Sequence, residues 1–431
     1  MNAWDGLWIL IASMCVLLAL GMRVAYVLFA VGMIGTFWAL SPSDPMTVGR
    51  EAWGSLKSYN LTAIPLYVLM AEILLKADVT RMTYRGFATV LGPLPGGAAY
   101  ANIGGSTVFA AISGSSVANA AALGTVAGTA MTDLGYNRRL TFGSIAAGGT
   151  LGILMPPSTA LIIYGSLTGV SISHLFMAGV VPAFVLAGLF AFVILVWGIL
   201  RPQDAPRSNK ATAADVALAI LGLLPLLALI FVVLGGIYLG VFTPTEAGGV
   251  GVIGASIIAA IGGKLRWTTL WDCARATASL TSMILLIIAG AATIGYVVGM
   301  MGLAHEMTTS LAGSELSTFS ILLLIALLYV VLGLFIESVS LIVLTIPVLY
   351  PVLAGIGVDG IWLGIYVVIL IEIGLITPPV GLNLFVLKNI PAGQTMGDII
   401  IGSLPFLLAL LTLAGILLFF PSIATWLPSV S

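Results

Sequence analysis

Three serines crowd a glycine at Ser113-Gly114-Ser115-Ser116, and Asn119 follows one helical turn later. Hydroxyl and turn-carbonyl oxygens at such a junction are hard ligands suited to a dehydrated Na⁺, while the helix N-terminus that follows favours an anion. A second oxygen-bearing stretch is Phe335-Ile336-Glu337-Ser338-Val339-Ser340, where a carboxylate interrupts a long apolar run. An ionisable group deep in a membrane is costly and usually marks an ion or proton path. Two Pro-Pro pairs complete the set, Pro156-Pro157 and Pro378-Pro379, each inside an apolar segment and 222 residues apart. Proline donates no backbone hydrogen bond and clashes with the preceding turn, so each pair breaks its helix.

This pattern assigns two or more Na⁺ sites. Backbone freed from Gly152 to Met155 and from Gly374 to Thr377 would close against tips formed by Ser113 and Ser115, and by Ile336, Glu337 and Ser338. The residues that open the helices beyond these points, Ser115, Ser116, Asn119, Ser158, Thr159 and Asn383, are the candidate contacts for a small carboxylate. No basic residue falls within this set, so an anion there depends on hydroxyls, amides, helix ends and bound cations. The structural alternatives stay open: small-residue packing at the first tip, a protonated or amide-satisfied Glu337, and simple proline kinks at the breaks. Glu372, five residues before Thr377, either stabilises the second break or is purely structural. Thr243-Pro244-Thr245-Glu246 reads as a capping box opening a helix, not as chemistry. The two histidines lie far from the serines and the two cysteines are isolated, which argues against a nucleophile–base pair, a metal cluster or an enzyme.

Positioning such groups takes many helices. The 431 residues are 60% hydrophobic and 7% charged, with a mean hydropathy of +1.19, the composition of a chain embedded in a lipid bilayer. A net charge of -1 offers no footprint for nucleic acid. Apolar segments place spans at about 4–20, 24–40, 60–77, 141–167, 174–200, 213–239, 244–262, 278–300, 360–388 and 402–427. The segments at about 97–133 and 319–354 are interrupted at their centres and read as re-entrant helical hairpins. With the N-terminus outside, 13 of the 15 basic residues fall on the cytoplasmic side, while Arg50 and Lys57 fall outside beside Asp44 and Glu51. Both termini are then periplasmic, and five crossings per half make the second half inverted relative to the first. The expected fold is therefore an all-α integral membrane protein of two inverted repeats, with ten spans, two hairpins and two discontinuous helices. The repeats occupy 1–200 and 213–431, joined by a polar cytoplasmic linker at 201–212. Segments 47–59 and 264–276 read as interfacial arms bracing a scaffold or as amphipathic loops.

Six stretches carry a resemblance to a known family: IPLYVLMAEILLKA (64–77), LGPLPGG (91–97), VFAAISGSSVA (108–118), AAGGTLGILMPPS (146–158), FTPTEAGG (242–249) and EIGLITPPVGLNLFV (372–386). Together and in this order they are similar to the large, DctM-type membrane subunit of tripartite ATP-independent periplasmic (TRAP) transporters, over nearly the whole chain. The resemblance implies Na⁺-driven uptake of small organic acids across the bacterial inner membrane by an elevator-like motion. It implies a periplasmic solute-binding protein that delivers the substrate, and a small four-helix membrane subunit. Because the chain begins directly with a span, that subunit is expected as a separate polypeptide. A stand-alone Na⁺-coupled dicarboxylate symporter is the competing reading. Gly21-Met22-Arg23 replaces the Gly-x-Pro usual after the first span, and Thr129-Ala130-Met131 stands where Pro-Glu-Met is common. Neither departure is expected to touch the site.

Overall fold

The computed structural model describes residues 3–39, 46–206, 211–312 and 316–430, and among these every regular element is helical. Helices α1 (Ala3–Ala19) and α2 (Val24–Ala39) precede the short α3 (Met46–Leu56), α4 (Ala63–Lys76) and α5 (Val79–Leu91). The first hairpin is α6 (Ala98–Ser113) and α7 (Ser116–Asp133); α8 (Arg138–Leu154) and α9 (Thr159–Thr168) flank the first Pro-Pro pair, and α10 (Ile172–Leu200) closes the half. The second half runs α11 (Ala213–Tyr238), α12 (Pro244–Ile261), α13 (Trp267–Met300) and α14 (Leu303–Ala312). It continues through α15 (Thr318–Gly333), α16 (Ser338–Gly355), α17 (Gly360–Ile376), α18 (Leu382–Lys388), α19 (Met396–Phe419) and α20 (Ser422–Ser429). Eight helical stretches among the described residues are long and apolar enough to cross a membrane, and four shorter apolar helices accompany them. The chain is a multi-pass membrane protein. Asp44 and, among the basic residues counted on the cytoplasmic side, Arg207 and Lys210 lie outside the described residues, as does part of the linker.

Helix bounds repeat at the offset of the proline pairs. Adding 222 to α7 gives 338–355, the bounds of α16, and adding it to α8 gives 360–376, the bounds of α17. The same shift carries α2 to 246–261, within α12, and α6 to 320–335, beside α15. One element departs from the pattern. The first interfacial arm is a separate helix, α3, whereas the second runs unbroken into its span as the 34-residue α13. Pro65 stands in the first turn of α4, the helix position that best accommodates a proline. Its counterpart in α13 is Ile287, which leaves the helix free to continue.

Burial follows the backbone's needs. Every residue from Leu140 to Leu154 in α8 and from Trp362 to Ile376 in α17 is buried, so both interrupted helices are wrapped by other helices. That is the condition under which broken backbone is tolerated at membrane depth. The outer helices expose apolar side chains instead, such as Leu221, Leu224 and Phe231 on α11 and Leu323, Leu324 and Leu327 on α15. The first hairpin enters and leaves at one end: the Ala98 amide opening α6 donates to the Tyr136 hydroxyl, just past α7, at 2.9 Å. At the far end only Gly114 and Ser115 separate the two arms.

Candidate functional site

The first tip is built by a glycine that other residues could not replace without strain. Gly114 ends α6 with φ 58°, and Ser115 then opens α7, its hydroxyl accepting from the Ala118 amide at 3.4 Å. The Ser113 hydroxyl donates to the Ser115 carbonyl at 3.5 Å. The first break presses against this turn. A Cβ at Gly152 would lie 2.5 Å from the Ser115 carbonyl oxygen, so α8 and the tip meet through bare backbone. Prolines at 156 and 157 cannot donate to the carbonyls of Gly152 and Ile153, which lose their helical partners. Met155 leaves α8 in extended conformation, Ser158 caps α9 by accepting from the Leu161 amide at 3.4 Å, and the Thr159 hydroxyl donates to the Gly114 carbonyl at 2.8 Å.

The second tip uses different chemistry for the same turn. Glu337 takes the position of Ser115 and opens α16; its carboxylate accepts from the Val339 amide at 3.0 Å, the Ser340 amide at 3.4 Å and the Ser338 hydroxyl at 2.7 Å. The carboxylate is thus satisfied by neighbouring amides while still facing the cavity described below. Ile336 closes the end of α15 by donating to the Leu332 carbonyl at 3.0 Å. Gly374, the counterpart of Gly152, again meets the hairpin backbone: a Cβ there would lie 2.6 Å from the Gly333 Cα. Thr377 leaves α17 extended, its amide donating to the Gly374 carbonyl at 3.2 Å and its hydroxyl to that of Ile373.

One side-chain amide ties the two halves together and another ties the first hairpin to its neighbours within the first half. Asn383 on α18 donates to the Ser116 hydroxyl at 2.9 Å, joining the second break to the first hairpin. Asn119 donates to the carbonyls of Gly148 at 3.1 Å and Ser106 at 3.4 Å. Asn119, Asn383, Ser116 and Ser158 are all buried and stand behind the cavity wall, whereas Ser113, Ser115, Thr159, Glu337 and Ser338 line it. That cavity, about 920 Å³, is the feature on which both tips converge.

Two charged groups emerge that the tip-and-break pattern does not reveal, and Glu372, read from the sequence beside the second break, takes an unexpected neighbour. Arg23 and Glu72 line the same cavity as the tips, so the first departure from the family pattern touches the site after all, and the cavity does carry a cation. Glu72 had a signal in the sequence, a lone acid in an apolar span; Arg23 had none, because it reaches the cavity only through the packing of α2 against α13. Glu372 is fully buried and lies against the backbone of Ile153 and Leu154, yet neither carboxyl oxygen makes a well-formed hydrogen bond among the described residues. It therefore bears on the first break, not only on its own.

The two tips line one cavity, which the helices beyond the breaks reach through Thr159 and Val386, whereas Gly152, Met155, Ile336, Gly374 and Thr377 are not on its wall. Inside a multi-span helical chain this arrangement defines a membrane transport protein of the discontinuous-helix class. Residues 11–423 match the family described as tripartite ATP-independent periplasmic transporter, DctM component, and the chain belongs to that family. It is 33% identical over 399 residues to the C4-dicarboxylate TRAP transporter large permease protein DctM of Pseudomonas aeruginosa, covering 91% of this chain and 92% of that one. It is 29% identical over 407 residues to the 2,3-diketo-L-gulonate TRAP transporter large permease protein YiaN of Escherichia coli, covering 94% and 95%. The crystal structure of the Alcanivorax borkumensis YdaH transporter superposes with a TM-score of 0.63 at 15% identity, over 94% of this chain and 98% of that one, a likeness of fold.

Proposed function

We propose that this chain is the large permease subunit of a Na⁺-coupled importer of small organic acids in the bacterial inner membrane, with both termini periplasmic. A periplasmic solute-binding protein delivers the acid, and a small four-helix subunit accompanies the chain as a separate polypeptide. The observation that carries the reading is the convergence of Ser113, Ser115, Thr159, Glu337 and Ser338 on one cavity. Hydroxyls and freed carbonyls at each tip supply hard oxygens for a cation, and the N-termini of α7 and α16 supply partial positive charge for a carboxylate.

Binding energy is used at two places in this scheme. Na⁺ at the tips neutralises Glu337 and draws the hairpin turns onto the breaks, which forms the carboxylate site only when cations are present. The helices that carry tips and breaks then move as one body, because Thr159–Gly114 and Asn383–Ser116 tie them, while α4, α12 and α13 stay as the scaffold. Relatives named for C4-dicarboxylate and 2,3-diketo-L-gulonate support small carboxylates as the substrate class.

Counterflow of radiolabelled succinate in proteoliposomes holding the chain, its small membrane partner and its binding protein tests the scheme. Uptake is expected to require inward Na⁺ and to rise more than linearly with Na⁺ concentration. Uptake indifferent to every cation gradient removes the coupling. Equal uptake by the lone chain without a binding protein instead makes it a stand-alone dicarboxylate symporter.

A further inference from the structure

We infer that Arg23 is a specificity-determining residue that receives an anionic group of the substrate beyond the one held at the tips, so that this chain favours dianionic acids over monoanions of the same length. The inference rests on the carboxylate reading above and adds to it a residue outside the tips and breaks.

Arg23 is the sole basic side chain lining the cavity shared by the two tips. It is exposed and forms no ion pair with a carboxylate within 4.0 Å among the described residues. The other charged groups of the wall do not replace it. Glu337 has both oxygens engaged by its own turn, and Glu72 is a carboxylate that repels an anion. The tips themselves offer hydroxyls and helix ends, which suffice for one carboxylate and leave a second without a charged partner. Ser282 on α13 lines the same cavity and makes no hydrogen bond among the described residues, a neutral donor on the same wall.

Relatives of this chain are named for different substrates, C4-dicarboxylate and 2,3-diketo-L-gulonate, and side chains on the cavity wall outside the tips are one place where the permease itself can discriminate. A guanidinium suits that task because its planar fork pairs bidentately with a carboxylate and stays charged at any working pH. The backbone of Arg23 has a separate job: its carbonyl accepts the amides of Tyr26 at 3.0 Å and Val27 at 3.2 Å, opening α2. A side-chain substitution leaves that contact in place, so Arg23→Gln is expected to fold.

The test uses the purified full-length chain in nanodiscs with Na⁺ present, and thermal-shift titrations with succinate and with butyrate, which has the same number of carbons and one carboxylate fewer. Wild type is expected to bind succinate roughly ten-fold more tightly than butyrate. Arg23→Gln is expected to bring the two within about three-fold by weakening succinate alone, Arg23→Lys to fall between, and Glu72→Gln to tighten succinate. An unchanged preference in Arg23→Gln, or equal weakening of both acids, overturns the proposal. If wild type binds neither acid, the carboxylate reading falls with it. If succinate binds equally well without Na⁺, only the coupling fails and the Arg23 comparison stands.

Discussion

Glu337 shows how one side chain serves a fold and a site together. As the cap of α16 it satisfies two orphan amides that would otherwise face the cavity unpaired, and it does so with a carboxyl group. Its counterpart Ser115 performs the same capping without charge, so the carboxylate is more than the cap requires. A carboxylate there is what the proposed Na⁺ site would use. Glu337→Gln keeps an acceptor oxygen and removes the charge, so it should unfold within a degree or two of wild type. The Na⁺ concentration for half-maximal uptake should nonetheless rise several-fold; an unchanged Na⁺ dependence would reduce Glu337 to a cap. Asn383→Leu is the opposite case. It leaves the buried Ser116 hydroxyl without its donor, a loss of about 1–3 kcal/mol. A clear drop in thermal stability is expected, and a variant as stable as wild type would show that the tie between α18 and the first hairpin carries no energy.

At the scale of elements, the parts that were legible in the sequence are those where one residue's covalent structure dictates the backbone. The breaks fall at Pro156-Pro157 and Pro378-Pro379 because proline has no amide to give, and the tip falls at Gly114 because its φ of 58° excludes side chains. The capping box at Thr243 and Glu246 is present as read, with each side chain bonded to the other residue's backbone. What could not be read depends on packing between distant segments. Helix α5 carries Arg81 and Arg85 on one side and buries Thr83, Tyr84 and Gly86 on the other, a mixture too polar for a span and too regular for a loop. The fusion of arm and span in α13 hinges on the absence of a proline, a weaker signal than its presence. The burial of Asn119 and Asn383 behind the cavity wall follows from how α7, α8 and α18 nest together. Gly114→Ala tests the tip as an element. A methyl group there meets the Thr159 amide at 3.1 Å and the Pro157 carbonyl at 3.3 Å, on top of about 1–2 kcal/mol for the left-handed backbone. Transport is expected to fall by at least about ten-fold while the chain still inserts and purifies, since the strain is local to the turn. Wild-type transport by that variant would mean the tip tolerates rearrangement and does not shape the site.

For the whole molecule, the deciding property is which way the halves face. The helix bounds repeat at a constant shift, and the repeated unit contains an odd number of crossings if each hairpin returns to its own side. The hydrogen bond from Ala98 to Tyr136 brings the two ends of the first hairpin together, which is the geometry a returning hairpin needs. An odd unit repeated in tandem reverses its orientation, and that reversal also gathers nearly all basic residues on one face. The two properties stand or fall together, because counting either hairpin as a crossing would scatter the charges. Single-cysteine accessibility in intact cells measures this directly. In a background with Cys15 and Cys273 replaced by serine, a membrane-impermeant maleimide should label Lys57→Cys and Ser429→Cys from outside. Arg139→Cys and Lys264→Cys should react only after the membrane is opened. Labelling of Lys264→Cys in sealed cells would place the α12–α13 connection in the periplasm. The two halves would then share one orientation, and the cavity would lose the opposed pair of tips on which the proposed Na⁺ capture depends.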